Sequence, residues 1–546
     1  MVYENPAKST IIRKISIHML IALRKSRQEI YTNVFRDNLN ESLKNKSEEM
    51  ARQKASGKVP KRDVESASKK ITFGVDKVKE FPEWYDRAIE VGDIVDARYS
   101  VKGMYIWRPY GFRALRSMME IMQEIMDRTG HDEVYFPMLI PESIFGKERD
   151  FLKGFKGEAF VVTKAGNDDL TESLYIRPTS ETGIYENVRP WIRSVSDLPL
   201  RLYQIVNIFR YETKQTRPLL RLREVVKFKE AHTFHATAED ADAQIQVGVD
   251  AYKEFFDKLL IPNVVVKTPS WDIFAGAVYN MDLMSVMPDG KAIELASVIN
   301  LGTKFAKVYN LTYQSNDNKQ EYVHQTCYGI SERGLGVLLA IHGDNRGLIM
   351  PPVIAPIHVV VIPIFKKGKE EEITLRAIEA KKMIEKRGFR VTLDTRDRGV
   401  GDKFYEWEAK GIPVRVEIGP KEIENGELVL FRRDTLKKET VKNADAQARI
   451  TALMDEITET LRTRAQEYFK GRVIHFDTAE EVKKKYTERL GLVGLPWCGD
   501  EKCGRKLEEV IGIPTIGFVP EKHLNKECAS CGKTDNVVEM FFGRTY

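Results

Sequence analysis

The sequence predicts a multidomain protein of the mixed α/β (α+β) class. Its 546 residues exceed the usual size of one domain. Strand and helix patterns alternate through the centre of the chain, and a smaller β-α-β-α pattern follows the break at Met350–Pro352. Four of the five cysteines lie beyond residue 497. We therefore expect four segments, namely an N-terminal extension (1–82), a large mixed domain (83–350), a small α/β domain (351–460) and a cysteine-bearing domain (461–546).

The N-terminal extension is basic and amphipathic at its start. No acidic residue lies between Glu4 and Glu29, and apolar residues recur there at helical spacing, namely Ile12, Ile15, Met19 and Leu23. This pattern predicts a basic helical arm. Three interpretations stay open at this point: a solvated arm, an arm that follows a nucleic-acid backbone, and a cleaved presequence.

Bulk composition excludes few functions. The net charge of +6 permits a polyanionic partner without requiring one. No apolar run of about 18 residues occurs, so we expect no membrane-spanning helix and no membrane partner. Five cysteines in a chain of this length form a poor disulfide framework. We therefore expect a reducing compartment and a cytoplasmic protein.

Local patterns place helices and strands in the two α/β segments. In the large segment, the expected strands are Glu133–Leu139, Ile205–Arg210 and Val225–Phe228, and the expected helices are Gly111–Thr129 and Glu239–Leu260. In the small segment, the expected order is strand Ile357–Ile364, helix Glu370–Arg387, strand Arg390–Asp394, helix Phe404–Lys410, strands Val414–Ile418 and Leu428–Arg432, and helix Ala444–Tyr468.

Three motifs in the large segment could carry chemistry. Phe209–Glu212 is followed by several arginines on a loop, and guanidinium groups suit phosphate because they stay charged and present a planar fork of donors. Arg177–Glu181 places a carboxylate beside small hydroxyls, which can hold an ammonium group. Tyr328–Gly336 is a glycine-rich run that leads into an apolar helix, where an anion is favoured. Taken singly, each motif has a structural alternative. The arginines could form a ladder of ion pairs, Arg177–Glu181 could cap a helix, and the glycine-rich run could be an ordinary strand-to-helix turn.

Taken together, the three motifs resemble those of the class II aminoacyl-tRNA synthetases. Pro137, after a long predicted helix, is similar to the proline of the first class II motif, which supports a homodimer interface in that family. Phe209 to His232 resembles the second motif, and the glycine-rich run with Arg333 resembles the third. The resemblance implies an antiparallel-sheet catalytic domain and ATP-dependent activation of an amino acid.

Further segments resemble the prolyl-tRNA synthetases of the archaeal and eukaryotic type. The similarity extends from about residue 81 to the end of the chain, and the segments that carry it are Arg177–Glu181, Phe228–Thr233, Phe274–Ala277, Ile341–Pro352 and Phe542–Tyr546. The interval between His232 and Arg333 is too short for the editing insertion that the bacterial proline enzymes have there. The resemblance implies L-proline, ATP and tRNA(Pro) as substrates.

The resemblance also implies individual site residues. Arg210, Glu212 and Arg333 would be catalytic. The expected ATP contacts are Arg210, Glu212, Arg221, Phe228, Glu294, Ser297 and Arg333, and Glu212 and Glu294 would contact ATP or its Mg²⁺. The expected proline contacts are Thr179, Glu181, Arg210, Glu230, His232, Phe274 and Tyr328. The chain departs from the family pattern at Ile299, where a histidine is usual, and at Val278, Asn280 and Glu294.

The small segment resembles the anticodon-binding domain that the histidine, threonine, proline and glycine enzymes share. By that similarity Glu408, Arg415 and Lys437 would read anticodon bases, since Arg suits guanine and Glu accepts from base amino groups. A structural ion pair between Glu408 and Arg415 is the alternative.

The last segment carries Cys498 and Cys503, then Cys528 and Cys531. Two close pairs of thiolates suit a tetrahedral, structural Zn²⁺ site, and the family has a zinc-type C-terminal domain of similar spacing. Unmetallated thiols and a disulfide-linked pair are the alternatives. Such a site would fix the last segment so that Tyr546 reaches back toward the catalytic domain.

Two rival functions stay open from the sequence alone. The first is a synthetase paralogue that activates a different small amino acid, because Ile299 and Asn280 alter the expected pocket. The second is a non-catalytic relative that binds tRNA, although the arginines that adenylation needs are all present.

Overall fold

The computed structural model describes residues 73–148, 159–273, 275–486 and 491–546. The expected basic helical arm, apart from residues 73–82, lies outside the described residues, and so does Phe274 with its expected proline contact. Phe73 and Phe81, at the end of the expected extension, are buried in the main hydrophobic core.

The large segment alternates helices and strands. Its helices are α1 (Phe81–Val91), α2 (Pro109–Arg128), α3 (Glu142–Phe145), α4 (Glu181–Val188), α5 (Ala238–Lys258), α6 (Lys304–Tyr309) and α7 (Arg333–His342). Its strands are β1 (Val95–Asp96), β2 (Ile106–Trp107), β3 (Asp132–Glu133), β4 (Leu139–Pro141), β5 (Phe160–Ala165), β6 (Asp168–Ile176), β7 (Leu200–Phe209), β8 (Glu224–His235), β9 (Val264–Lys267), β10 (Tyr279–Val286), β11 (Ala292–Gly302), β12 (Thr312–Gln314), β13 (Gln320–Tyr322) and β14 (His324–Ile330).

The small α/β segment has four helices and five strands among the described residues. The helices are α8 (Glu370–Glu385), α9 (Val400–Ala409), α10 (Pro420–Asn425) and α11 (Ala446–Lys470). The strands are β15 (Val359–Pro363), β16 (Val391–Leu393), β17 (Val414–Ile418), β18 (Glu427–Arg432) and β19 (Lys438–Lys442). They form one sheet in the order β16-β15-β17-β18-β19, in which the first three strands are parallel. The expected small α/β domain is confirmed.

Within its described residues, the last segment contributes four strands and two helices, which are β20 (Val473–His475), α12 (Ala479–Lys485), β21 (Leu492–Trp497), α13 (Glu501–Ile511), β22 (Thr515–His523) and β23 (Val538–Phe542). These strands join the sheet of the large segment, because Phe518 of β22 pairs with Lys267 of β9. The segment borders fixed at 82, 350 and 460 stay predictions, and α11 continues through residue 460.

A largely antiparallel sheet organises the described chain. Its strand order is β20-β21-β23-β22-β9-β10-β11-β14-β8-β7-β3. Pairing is antiparallel from β21 to β7, and parallel at the two ends of the sheet. The α/β (α+β) class and the antiparallel catalytic sheet are therefore confirmed.

Two long helices cover one face of this sheet. Helices α2 and α5 pack there, and their buried side chains include Met118, Met122, Tyr252 and Phe255. Gly248 permits the close approach of α5, since a Cβ at that position would lie 2.9 Å from Cγ1 of Val298 on β11. The opposite face of β8, β14, β11 and β10 is left to form the floor of a cavity.

Among the helices that the structure describes, none is both long and apolar enough to cross a bilayer.

Candidate active site

A cavity of about 620 Å³ lies over the open face of the central sheet. It receives side chains from β8, β10, β11 and β14, from the loop before α4, from the loop before β8 and from the start of α7. The expected site residues that line it are Thr179, Glu181, Arg210, Arg221, Phe228, Glu230, His232, Glu294, Ser297, Tyr328 and Arg333.

Strand register arranges the cavity floor in rows. Successive side chains of a strand point to opposite faces, so residues that are paired across strands share a face. His232, Cys327, Ile299 and Asn280 are paired in sequence across β8, β14, β11 and β10. All four line the cavity. Ile299, where the family usually has histidine, thus lies in the floor between Cys327 and Asn280.

The next row is more polar. It runs from Glu230 through Gly329 and Ser297 to Asp282. Gly329 leaves space for the ring of Phe228, because a Cβ there would lie only 2.7 Å from the Cζ of that ring. The end of an aromatic ring therefore lies over the floor at the point where the sheet has no side chain.

Carboxylates and hydroxyls gather at the β8 end of the cavity. Thr179 donates a hydrogen bond to Glu181, and Ser180 donates to Glu230. Gln204 Nε2 also donates to Glu230 Oε1, at 2.9 Å. Burial acts to raise the pKa of Glu230, but hydrogen bonds from His232, Ser180 and Gln204 outweigh it and lower that pKa. A buried anion is thus maintained at this end.

Three arginines approach the cavity from two segments, namely Arg210 and Arg221 from the connection between β7 and β8 and Arg333 from the start of α7. Arg210 Nε donates to the carbonyl oxygen of Pro178 at 2.9 Å. Arg333 Nη1 donates to the carbonyl oxygen of Glu294 at 2.9 Å. Arg221 Nη2 donates to the main-chain oxygen of Tyr546 at 2.6 Å. Burial lowers the pKa of Arg210, and nearby Glu181 acts in the opposite direction. The guanidiniums are thus anchored to the backbone around one cavity.

Two acids line the cavity on β10 and β11. Asp282 accepts hydrogen bonds from Ser297 Oγ at 2.5 Å, from Asn280 Nδ2 at 3.0 Å and from Thr268. Removal from water raises the pKa of Asp282. Partial desolvation by the surrounding protein, and then the charge of Asp282, raise the pKa of Glu294, whose side chain is open to the solvent of the cavity. A cation near Glu294 would relieve this repulsion.

Two expected contacts, those of Glu212 and of the Tyr328 hydroxyl, are not made from inside the cavity. Glu212 is not among the lining residues. Tyr328 contributes to the lining, but its hydroxyl lies on the helix-covered face, where Gln244 Nε2 donates to it at 3.0 Å and His131 is a second partner. The phenol is therefore not positioned to touch a ligand in the cavity. Phe274 lies outside the described residues, so its expected contact with proline stays a prediction.

The residue beside Tyr328 takes the cavity position instead. Cys327 faces Glu181 and Glu230, and its pKa is raised by burial and then by these two charges. Sequence reasoning missed Cys327, together with the lining residues Thr268, Asp282 and Thr515. Strand alternation could have identified Cys327. Side chains two residues apart on β14 share a face, and Gly329 lies beside Phe228, which is expected in the cavity, so Cys327 belongs on that face as well. Tyr546 does line the cavity, as expected.

In the small domain, Arg415 is enclosed by protein. Its guanidinium lies between the rings of Phe404 and Phe431, with Cζ 3.8 and 4.0 Å from the ring centroids. It donates to Glu408 Oε1 at 2.8 Å and to Glu417 Oε1 at 2.9 Å. This arrangement is the structural ion pair that the sequence left open. Lys437, by contrast, is exposed.

The four C-terminal cysteines meet at one point. Their Sγ atoms all lie within 4.8 Å of one another, and those of Cys498 and Cys531 are 3.8 Å apart. Bonds of about 2.3 Å in a tetrahedral Zn²⁺ site place sulfur atoms about 3.8 Å apart. All four cysteines are free of disulfides. The donor set and the spacing therefore fit zinc.

Comparison with known proteins assigns the fold and the family. Residues 160–342 match the class II core domain of the glycine, histidine, proline, serine and threonine tRNA synthetases, and residues 358–453 match an anticodon-binding domain. The proline–tRNA ligase of Pyrococcus horikoshii is 45% identical over 473 residues, which is 86% of this chain and 98% of that protein. The chain belongs to the proline–tRNA ligase family.

Two further relatives support this assignment. The proline–tRNA ligase of Aeropyrum pernix is 45% identical over 464 residues, which is 83% of this chain and 95% of that protein. The structure of Giardia lamblia prolyl-tRNA synthetase in complex with prolyl-adenylate matches with a TM-score of 0.82 and 35% identity, over 85% of this chain and 98% of the other. The chain is thus a class II aminoacyl-tRNA synthetase by core domain, anticodon-binding domain and overall fold.

Proposed function

We propose that this protein joins L-proline to ATP as prolyl-adenylate and transfers the prolyl group to tRNA(Pro). The proposal rests on how charged and polar side chains are distributed between the two ends of one cavity. Arg221 and Arg333 approach one end, Thr179 and Glu181 lie at the other, and Arg210 is held between them by Pro178. One cavity thus offers partners for phosphates, for a carboxylate and for an ammonium group.

The β8 end of the cavity suits the amino acid. The ring nitrogen of proline is positively charged, and Thr179 with Glu181 offers it an acceptor and a negative charge. Glu230 and His232 close the pocket below, and Ile299 adds apolar surface. Arg210, charged and anchored to Pro178, faces the carboxylate that must react.

The other end suits the nucleotide. Phe228 offers a flat ring over Gly329 on which adenine can stack. Arg221 and Arg333 would bind the phosphates from two sides, and Ser297 lines the floor between the two substrates.

The reaction needs no nucleophile from the protein. A carboxylate oxygen of proline attacks the α-phosphorus in line, the bond to the β-phosphate oxygen breaks, and pyrophosphate leaves. A terminal ribose hydroxyl of tRNA then attacks the prolyl carbonyl carbon and AMP leaves. Arg210, Arg221 and Arg333 stabilise negative charge where it increases, and positioning supplies much of the rate.

Class II synthetases use ATP with Mg²⁺, and Glu294 fits such an ion. Its carboxylate lines the nucleotide end and its pKa is raised beside Asp282, which a divalent cation would reverse. Glu212 is the second expected contact of the ion. Mg²⁺ bound with ATP would neutralise phosphate charge.

We further propose a homodimer that reads the tRNA anticodon with its small domain. Large apolar side chains near Pro137 are exposed, namely Tyr135 at 72%, Leu139 at 41% and Trp191 at 50%, and these support a subunit interface. Lys437 is exposed for contact with RNA, while Glu408 and Arg415 would shape the same surface. A structural Zn²⁺ on the four C-terminal cysteines and a cytoplasmic location complete the proposal.

Pyrophosphate exchange with ATP, measured in the presence of each of the twenty amino acids, tests the function. Proline is expected to give the strongest exchange. Arg210→Ala is expected to abolish it, whereas Arg193→Ala, which changes an exposed arginine outside the cavity, is expected to retain it. Exchange with another amino acid in place of proline would identify a paralogue of different specificity. No exchange with any, alongside intact tRNA binding, would identify a non-catalytic relative.

A further inference from the structure

Glu332 is a buried acid directly beside the third arginine of the cavity. Its side chain is completely buried, and it does not line the cavity, although both of its neighbours, Ser331 and Arg333, do. One carboxylate oxygen, Oε1, accepts a hydrogen bond from the backbone N–H of Val226 at 3.0 Å. The other oxygen, Oε2, is buried and has no hydrogen-bond partner among the residues that the structure describes. A buried carboxylate oxygen without a hydrogen bond lowers the stability of the folded chain, so we expect Glu332 to have a functional role.

The reason for the contact lies in the strand lengths. Strand β14 ends at Ile330, which is paired with Lys229 of β8. Strand β8 begins earlier, at Glu224, so its first residues extend past the last pair with β14. On the other side, the register with β7 shifts so that Val226 and Lys227 lie between the pairs formed by Val225 and Phe228. The Val226 N–H thus needs an acceptor, and Glu332 supplies it.

This contact joins the two segments that carry the nucleotide-binding residues. The first residues of β8 follow the loop with Arg221 and lead to Phe228. Glu332 immediately precedes Arg333, whose Nε donates to the carbonyl oxygen of Leu220 at 3.3 Å. Two links, Glu332 to Val226 and Arg333 to Leu220, therefore connect the start of α7 to the segment that holds Arg221 and Phe228.

We propose that Glu332 is a positioning residue for ATP, which fixes the start of β8 against the start of α7 and so sets the spacing of Arg221, Phe228 and Arg333. The inference rests on the proposed function. It predicts a specific effect, because among the described residues no hydrogen bond or ion pair joins Glu332 to Thr179 or Glu181.

Three substitutions separate the acceptor from the charge. Glu332→Ala removes the acceptor for Val226. Glu332→Asp keeps a carboxyl group but shortens the side chain by one methylene, which moves the carboxyl away from the Val226 N–H. Glu332→Gln keeps the side-chain length and one acceptor oxygen without the charge. Gln325→Ala is a matched control, since Gln325 is a buried polar residue of β14, at the other end of the strand and away from the cavity.

Kinetics of proline-dependent pyrophosphate exchange, with calorimetric binding of a non-hydrolysable ATP analogue, test the proposal on the full chain. Glu332→Ala and Glu332→Asp are expected to raise KM for ATP, and Kd for the analogue, about tenfold, because the start of β8 loses its hydrogen bond to the start of α7. KM for proline should stay within about twofold, Glu332→Gln should restore ATP binding, and Gln325→Ala should leave it unchanged.

Other outcomes overturn the proposal. Equal increases in KM for ATP and for proline would mean a general structural role, and unchanged ATP binding in folded Glu332→Asp would mean no role at all. Failure of Glu332→Gln to restore binding would exclude the hydrogen bond as the cause. If the unmodified chain lacks exchange with proline, the proposed function fails, whereas the analogue-binding comparison still tests Glu332.

Discussion

The main-chain oxygen of Tyr546 accepts a 2.6 Å hydrogen bond from Nη2 of Arg221. Tyr546 itself is held in place, since its hydroxyl donates to Asp289 at 3.0 Å and its backbone N–H donates to the carbonyl oxygen of Ala292 at 3.2 Å. A residue at the far end of the chain therefore orients an arginine that is expected to bind phosphate.

Removal of Tyr546 is expected to weaken ATP binding. Without its main-chain oxygen, Arg221 loses a fixed partner and must be ordered by the ligand itself, so KM for ATP should rise about tenfold. Tyr546→Phe is the control, because it loses the hydroxyl contacts with Asp289 and Arg217 but keeps the main-chain oxygen, and it should stay within about threefold of the unmodified chain. An unchanged KM for ATP after removal of Tyr546 would contradict the orienting role of this residue.

Stability is expected to depend on pH through Glu332. Burial raises the pKa of this carboxyl from 4.5 to about 7, and backbone N–H groups only partly oppose it. The folded chain thus holds a proton that the unfolded chain releases between these values, so the free energy of unfolding falls as pH rises through this window.

Glu332→Gln has no such proton to lose. Its free energy of unfolding, relative to that of the unmodified chain, is expected to rise by about 3 kcal/mol between pH 4.5 and pH 8. Urea-induced unfolding followed by tryptophan fluorescence at several pH values measures this difference. A difference that is constant with pH would show that Glu332 keeps an ordinary pKa.

The C-terminal cysteines are expected to hold one zinc ion per chain. Removal of the ion with a chelator should lower the midpoint of thermal unfolding, because the four thiolates link the turn after β21, the start of α13 and the loop before β23. Elemental analysis of Cys531→Ser should show loss of the metal, whereas Cys327→Ser should retain it. Full zinc content in Cys531→Ser would contradict the four-cysteine site.

Arg415 and Lys437 are expected to differ in how they affect the small domain. Arg415→Ala leaves Glu408 and Glu417 without their buried cation, so it should lower the thermal midpoint as well as tRNA charging. Lys437→Ala removes an exposed charge and should raise KM for tRNA without loss of stability. Both should retain pyrophosphate exchange. Equal thermal midpoints for the two variants would contradict the buried ion pair.

Local sequence patterns predicted the elements that carry the site. The expected helices Gly111–Thr129 and Glu239–Leu260 correspond to α2 and α5, because each is long and strongly periodic. The expected strand Val225–Phe228 is the first part of β8, which continues to His235. Ordered motifs then brought eleven expected residues to one cavity.

The remaining features depend on contacts between distant segments. Whether Cys327 or Tyr328 points into the cavity depends on which face of β14 covers it, and a shift of one residue along the strand exchanges the two faces. From the sequence, Arg415 is expected to contact anticodon bases, whereas in the structure its side chain is surrounded by Phe404, Phe431 and Glu417. The continuation of the catalytic sheet into β22 cannot be read locally, since Phe518 and Lys267 are far apart in the chain.

That continuation has a consequence for biosynthesis. Strand β9 acquires its neighbour β22 only after the ribosome has translated Thr515–His523, and β23 with its pairing to β21 follows later still. Until then the nascent polypeptide presents an open strand edge at β9, which invites association with other chains. We therefore expect β9 to remain an unprotected strand edge until β22 has been translated and has paired with it.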